Sequence, residues 1–146
     1  MAFSFRLATL LKLREAARDE RRRQLAQAQE AIAKLDGEQA QIADELASLQ
    51  DGQRRAASGT VRIDRLIASQ RYEASLRISA QTLSEQKRLI MTELEKRQQA
   101  LIEADRSVKT LEKMREKQFD RWQELELRAE AKQMDEVASR RFAWEM

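Results

Sequence analysis

The 146-residue chain contains no cysteine, histidine or proline, and it has only three glycines. The absence of cysteine excludes disulfides and thiolate metal sites, and the absence of histidine removes the commonest general base and metal ligand. No glycine-rich phosphate loop is present, and no uncharged apolar run reaches the about 18 residues that a membrane-spanning helix needs. We therefore predict a protein that is not an enzyme, has no catalytic, cofactor or metal site, and has no integral membrane segment.

The residues that are present favour long helices. Charged residues make up 36% of the chain and aromatic residues only 5%, so little material exists for a compact core. Alanine, glutamate, lysine, leucine, arginine and glutamine dominate, and all six have high helix propensity. The opening segment, residues 1–13, faintly resembles a signal peptide, but Arg6 and Lys12 interrupt its apolar run. We expect a cytoplasmic chain that keeps its N-terminus.

Glycine marks the place where the chain turns. Gly52 and Gly59 bracket residues 51–59, and an Asp-Gly pair is a turn signal. Gly37 is isolated within a helical pattern and does not indicate a break. The sequence predicts a single coiled-coil domain over 1–146, with helix one at about 4–50, a turn at 51–61 and helix two at about 62–140.

Both predicted helices carry apolar residues at alternating spacings of four and three, which is the heptad pattern of a coiled coil. We call these positions the core positions. In helix one they run from Leu7 to Leu49, and nine of the 13 are apolar. In helix two they run from Leu66 to Ala129, and 13 of the 19 are apolar. The fold class predicted is all-α, an antiparallel coiled-coil hairpin whose C-terminal helix is the longer one.

A turn centred near residues 55–57 fixes which core positions face each other. The predicted pairs are Leu49 with Leu66, Ile32 with Leu83, Leu25 with Ile90, and Leu7 with Val108. Helix two would then extend about 30 residues beyond helix one. The extension would expose an apolar stripe, which usually marks a partner site: Met114, Trp122, Leu125 and Ala129.

Charge weakens one section of the predicted coil. Arg14, Arg18 and Arg21 occupy three successive core positions, and the predicted register places Arg97 near Arg18. These side chains must extend outward to keep their charges in water. Residues 1–25 carry a net charge of +4 and residues 26–50 a net charge of −4.

Two features allow two interpretations each. The basic run at residues 18–23 is either a contact for an acidic partner or nucleic acid, or a solvated helix face. The terminal aromatic residues either pack on one another or anchor a partner, and they are Phe3, Phe5, Phe119, Trp122, Phe142 and Trp144. Tyr72, near the turn, is either a further anchor or part of the tip packing.

The chain resembles the FliJ family of flagellar type III export proteins in three segments. Residues 5–15, FRLATLLKLRE, resemble the family's opening pattern of Phe, Leu, paired Leu and Arg-Glu. Residues 100–113, ALIEADRSVKTLEK, resemble its long-helix core, and residues 130–138, EAKQMDEVA, resemble its C-terminal Asp-Glu motif. The segments occur in the family's order and at its distances over nearly the whole chain.

The resemblance implies a cytoplasmic stalk, peripheral to the inner membrane at the flagellar base. The implied partners are the hexameric export ATPase FliI, the export gate protein FlhA and export chaperones. Residues implied in ATPase binding are Phe5, Leu7, Leu11, Arg14, Arg18, Arg21, Trp122, Leu125, Met134, Asp135 and Glu136. Residues implied in export-gate binding are Ile42, Leu49, Tyr72, Leu76, Ser79 and Leu83, with Glu45 beside them.

Three alternatives remain open from the sequence. The equivalent stalk of a virulence type III injectisome would have the same architecture. A basic coiled coil that binds DNA is disfavoured, because a basic region should precede the zipper rather than lie within its core positions. An interfacial membrane helix at residues 3–13 is compatible with the stalk.

Overall fold

The computed structural model describes residues 2–60 and 62–145, and these form two helices. Helix α1 spans Ala8–Ala57 and helix α2 spans Ile63–Glu145. The described residues contain no strand. The predicted all-α hairpin, with its C-terminal helix the longer, is confirmed. No helix in the described residues combines the length and the apolar character required to cross a bilayer.

The helix ends depend on hydrogen bonds from the chain that flanks them. The Ala8 amide donates to the Phe5 carbonyl at 3.1 Å, which forms a turn ahead of α1. At the other end, the Ser58 hydroxyl donates to the Arg55 carbonyl at 2.8 Å, which satisfies a carbonyl in the last turn of α1. The Arg54 and Arg55 guanidinium groups lie in that turn, where the helix dipole favours positive charge.

Helix α1 continues beyond the residue at which we predicted its end. Gly52 lies inside the helix, and no glycine in the described residues has a positive φ. The glycines therefore do not end α1 through a left-handed cap, which is the usual role of glycine at a helix C-terminus. The break lies instead between Ala57 and Ile63, and Ser58 caps α1.

The chain divides into two compact units. One contains the described residues of 1–20 and 102–146, and we call it the terminal unit; the other, Arg21–Leu101, we call the hairpin unit. In the hairpin unit, every predicted core position from Leu25 to Leu49 on α1 and from Ser69 to Leu101 on α2 is buried or half-buried. The heptad pattern therefore identifies the surfaces along which the two helices pack.

The predicted register of the hairpin unit is wrong by one heptad. The Arg97 guanidinium contacts the Gln24 carbonyl at 2.6 Å, the Lys87 ammonium contacts Asp36 at 2.6 Å, and Gln53 contacts Ser69 at 2.8 Å. The residue numbers of these pairs add to between 121 and 123, whereas the predicted pairs add to 115. The shift arises because α1 continues to Ala57, which moves the centre of the turn to about residue 60. A shift of seven residues keeps every core position facing a core position.

In the terminal unit, a small apolar cluster joins the N-terminal segment to α2. Phe5, Leu11, Val108 and Leu111 are buried, and Val108 has no exposed surface. Phe3 and Leu7 pack against them. Two helices without a further layer leave most core positions half-exposed, so this cluster contains much of the apolar burial available to the terminal unit.

Candidate functional site

Aromatic rings extend the terminal cluster along α2. The Phe3 ring meets Phe119 edge-on with 5.3 Å between ring centroids, and it lies 5.9 Å from the Trp122 ring. Phe119 and Trp122 are 5.8 Å apart. Offset and edge-on pairs at these distances are favourable beyond the area that they bury. These three rings therefore pack on one another, whereas Phe142 and Trp144 are 63% and 91% exposed.

The residues implied in ATPase binding differ in how accessible they are. Phe5, Leu7, Leu11 and Trp122 are committed to the terminal packing, so their surfaces are largely covered within the chain. Arg18 is half-buried, and the exposed ones are Arg14, Arg21, Leu125, Met134, Asp135 and Glu136. Beyond Trp122, every residue of α2 to Glu145 is exposed except the half-buried Glu126.

Of the three arginines at successive core positions of α1, Arg14 and Arg21 are exposed and Arg18 is half-buried. The side chain of Arg18 is 20% exposed and its guanidinium lies 3.5 Å from the Asp19 carboxylate. Arg21 donates to the Gln24 side chain at 3.2 Å. The prediction that Arg97 lies near Arg18 is wrong, because the one-heptad shift places Arg97 beside Gln24. There its guanidinium also bonds to Glu93 on its own helix at 3.1 Å.

The residues implied in gate binding also differ in their exposure. Leu76 is buried, while Ile42, Leu49 and Leu83 are half-buried. Tyr72 and Ser79 are exposed. Because these two residues lie seven apart on α2, their side chains share one face of the helix. A partner could reach this face without separating the helices.

Tyr72 is tied to helix α1 through a carboxylate. Its hydroxyl donates to Glu45 at 2.9 Å. The hydrogen bond and the negative charge of Glu45 raise the pKa of the Tyr72 phenol above its ordinary 10.0. Next to it, hydrogen bonds from Arg77 and then Gln53 lower the pKa of the Glu73 carboxyl below 4.5. The Tyr72–Glu45 and Gln53–Glu73 contacts link the two helices here, whereas the Arg77–Glu73 pair lies within α2.

An open cleft of about 440 Å³ lies between the helices at the turn end of the hairpin unit. Small side chains leave this space, since a Cβ atom on Gly52 would meet nothing within 4 Å. Residues that line it include Leu49, Gly52, Ala56, Arg62 and Leu66. Sequence analysis missed the cleft; its signal was the run of small residues at one end of α1.

Among the residues that the structure describes, no group of three or more Asp or Glu side chains is placed to hold a metal ion. What the chain presents instead are surfaces: the exposed helix after Trp122, the Tyr72 face and the cleft.

Comparisons with known proteins identify the family. Neither the curated proteins nor the solved structures include a match to this chain. A protein-family model described as "Flagellar FliJ protein" matches residues 3–146, which is essentially the whole chain. The order of the three resembling segments and the two-helix fold agree with that match. The chain belongs to the flagellar FliJ protein family.

Proposed function

We propose that this chain is a non-enzymatic stalk of the flagellar type III export apparatus. It would act in the cytoplasm, at the inner-membrane face of the flagellar base. There it would bind the hexameric export ATPase FliI at the terminal unit and stimulate ATP hydrolysis. The membership in the flagellar FliJ family supports the flagellar apparatus over an injectisome.

The observation that supports the proposed ATPase contact is a change in the packing of α2 at Trp122. Up to that residue, the N-terminal segment packs on the helix through Phe3. After it, α2 continues as a single helix with exposed apolar side chains such as Leu125, which is 64% exposed, and Met134, which is 71% exposed. A single helix about 10 Å wide can enter the central opening of a ring, and the wider paired segment can limit how far it enters.

Stimulation would follow from binding energy alone. A stalk that binds the assembled ring and not the free subunit stabilises the assembled form by mass action. Because one asymmetric helix contacts six equivalent subunits, the contacts differ from subunit to subunit. No covalent step on this chain is required.

The Tyr72 face of the hairpin unit is the proposed contact for the export gate FlhA, and export chaperones are proposed as further partners. Tyr72 and Ser79 are accessible there, and the Glu45 hydrogen bond fixes the orientation of the tyrosine ring. Aromatic side chains held in one orientation bind with little loss of conformational entropy.

Removing residues 130–146 tests the ATPase contact. The truncated protein should lose stimulation of FliI while its helical circular dichroism per residue stays unchanged, because the terminal aromatic cluster lies outside the deleted segment. A Tyr72→Ala variant is the control, and it should stimulate as the full-length protein does. Stimulation that survives the truncation would exclude residues 130–146 as the ATPase contact.

A further inference from the structure

Near its C-terminal end, α2 carries apolar side chains on a second face. The core positions continue along the helix but become polar after Ala129, with Lys132, Glu136 and Ser139. A second set of residues instead repeats at spacings of three and four, and we call it the C-terminal stripe: Leu127, Glu130, Met134, Val137, Arg141 and Trp144. Its four apolar members are 66%, 71%, 52% and 91% exposed in chain order. At about 100° per residue, Leu127 lies roughly 140° around the helix from Trp122, so the stripe is not a continuation of the surface that packs on the N-terminal segment.

We propose that the C-terminal stripe pairs with the same stripe of a second copy of this chain, antiparallel, about a two-fold axis between residues 135 and 136. The order of residue types along the stripe is self-complementary in this arrangement. Leu127 of one copy faces Trp144 of the second copy, and Met134 faces Val137. Each apolar residue therefore meets an apolar residue, as the core of a coiled coil requires.

Charge selects this arrangement. The same two-fold axis places Glu130 of one copy opposite Arg141 of the second copy, twice in the dimer. A parallel pair would place Glu130 opposite Glu130 and Arg141 opposite Arg141, and like charges within a pairing surface are costly. Interhelical pairs of opposite charge set the relative orientation of the helices in coiled coils.

The residues beside the stripe allow close approach. Ala131 and Ala138 flank it on one side, and Gln133 and Arg140 flank it on the other. Asp135 and Glu136 lie outside these flanks, so their charges do not oppose the pairing.

The stripe covers 18 residues, or about 27 Å of helix. A pairing surface of this length is small, so we expect a reversible dimer with a dissociation constant in the micromolar range. The inference does not depend on the proposed function, because it concerns this protein alone. The proposed ATPase contact lies on the same part of α2, so a chain paired with a second copy would not be able to bind the ATPase through this helix.

Charge reversal tests the pairing by sedimentation equilibrium of the full chain. Wild type should shift from monomer to dimer as its concentration rises. Glu130→Arg and Arg141→Glu should each weaken association at least about tenfold, because each places like charges across the axis. An equimolar mixture of the two variants should associate again, since the arginine introduced in the first variant then faces the glutamate introduced in the second. The control Glu136→Arg makes the same charge change off the stripe and should associate as wild type does.

Two results would overturn the proposal. One is a wild-type protein that stays monomeric at several hundred micromolar; the other is a mixture that associates no better than either variant alone. A second measurement checks the relative orientation of the two paired helices by disulfide formation. It is possible because the chain has no native cysteine, so any disulfide forms between introduced cysteines. Leu127→Cys and Trp144→Cys proteins should form a disulfide with each other when mixed, and a Leu127→Cys disulfide formed with that variant alone would contradict the antiparallel arrangement.

Discussion

Arg97 shows how a charged side chain occupies a core position in this chain. The residue is half-buried, and its guanidinium donates to the Gln24 carbonyl on α1 and to the Glu93 carboxylate on α2. The side chain is 30% exposed, so the charge keeps part of its hydration. The heptad pattern predicted that Arg97 occupies a core position. It did not predict the acceptor, because the acceptor is a backbone group selected by the register.

The two most buried side chains larger than alanine, Val108 and Leu11, lie in the terminal cluster, where we expect substitutions to cost most. Leu11 is 5% exposed, and Leu11→Ala should lower the free energy of unfolding by about 2–4 kcal/mol through lost burial and the cavity left behind. Urea denaturation followed by circular dichroism measures the change. Leu13→Ala is the matched control, since Leu13 is 63% exposed and should change stability by less than about 0.5 kcal/mol. Equal losses for both variants would show that the cluster is not packed as described.

Tyr72 offers a titration that reports one contact between the helices. It is the only tyrosine in the chain, so the ultraviolet absorbance of tyrosinate follows this residue alone. The Glu45 carboxylate raises its pKa above 10.0, so this contact stabilises the fold below pH 10 and is lost as the pH rises through the raised pKa. In Glu45→Gln the negative charge is gone, and the pKa should fall back toward 10.0. An identical midpoint in both proteins would contradict the Tyr72–Glu45 contact.

At the scale of the helices, periodicity predicts which surfaces pack but not the register between them. The positions from Leu25 to Leu49 and from Ser69 to Leu101 follow from spacing alone. Displacement by seven residues preserves the same apolar pattern, so the turn must decide between registers. Taking Gly52 as a helix end misplaces the turn, because a single glycine costs an exposed helix only about 1 kcal/mol. A continuous helical pattern on both sides outweighs that cost.

Engineered disulfides distinguish the two registers directly. Ala28→Cys combined with Leu94→Cys joins positions whose numbers add to 122 and should form a disulfide on mild oxidation. Ala28→Cys combined with Lys87→Cys matches the displaced register and should remain reduced, because the two Cα atoms would be about 10 Å apart along the helix axis. Non-reducing electrophoresis of monomeric protein measures both. A disulfide only in the second variant would restore the register predicted from the sequence.

At the scale of the whole chain, the sequence alone identified candidate residues for ATPase binding but not which of them are exposed. The resemblance to the FliJ family implied the exposed residues Leu125 and Met134 together with Phe5 and Leu11, which the terminal cluster buries. Spacing alone could not separate the two groups, because each contains a residue at a core position, Leu11 in one and Leu125 in the other. Whether a residue of α2 is covered or exposed depends on how far along α2 the N-terminal segment packs. The contacts of Phe3 with Phe119 and Trp122 show that this packing reaches Trp122.

The measurement that most directly tests the stalk function is ATP hydrolysis by the cognate export ATPase, with and without this protein, beside a measurement of the size of the ATPase assembly. Binding to the assembled ring predicts that hydrolysis and the hexamer fraction rise together as this protein is added. Hydrolysis and assembly that both stay unchanged at saturating protein would contradict the stalk function.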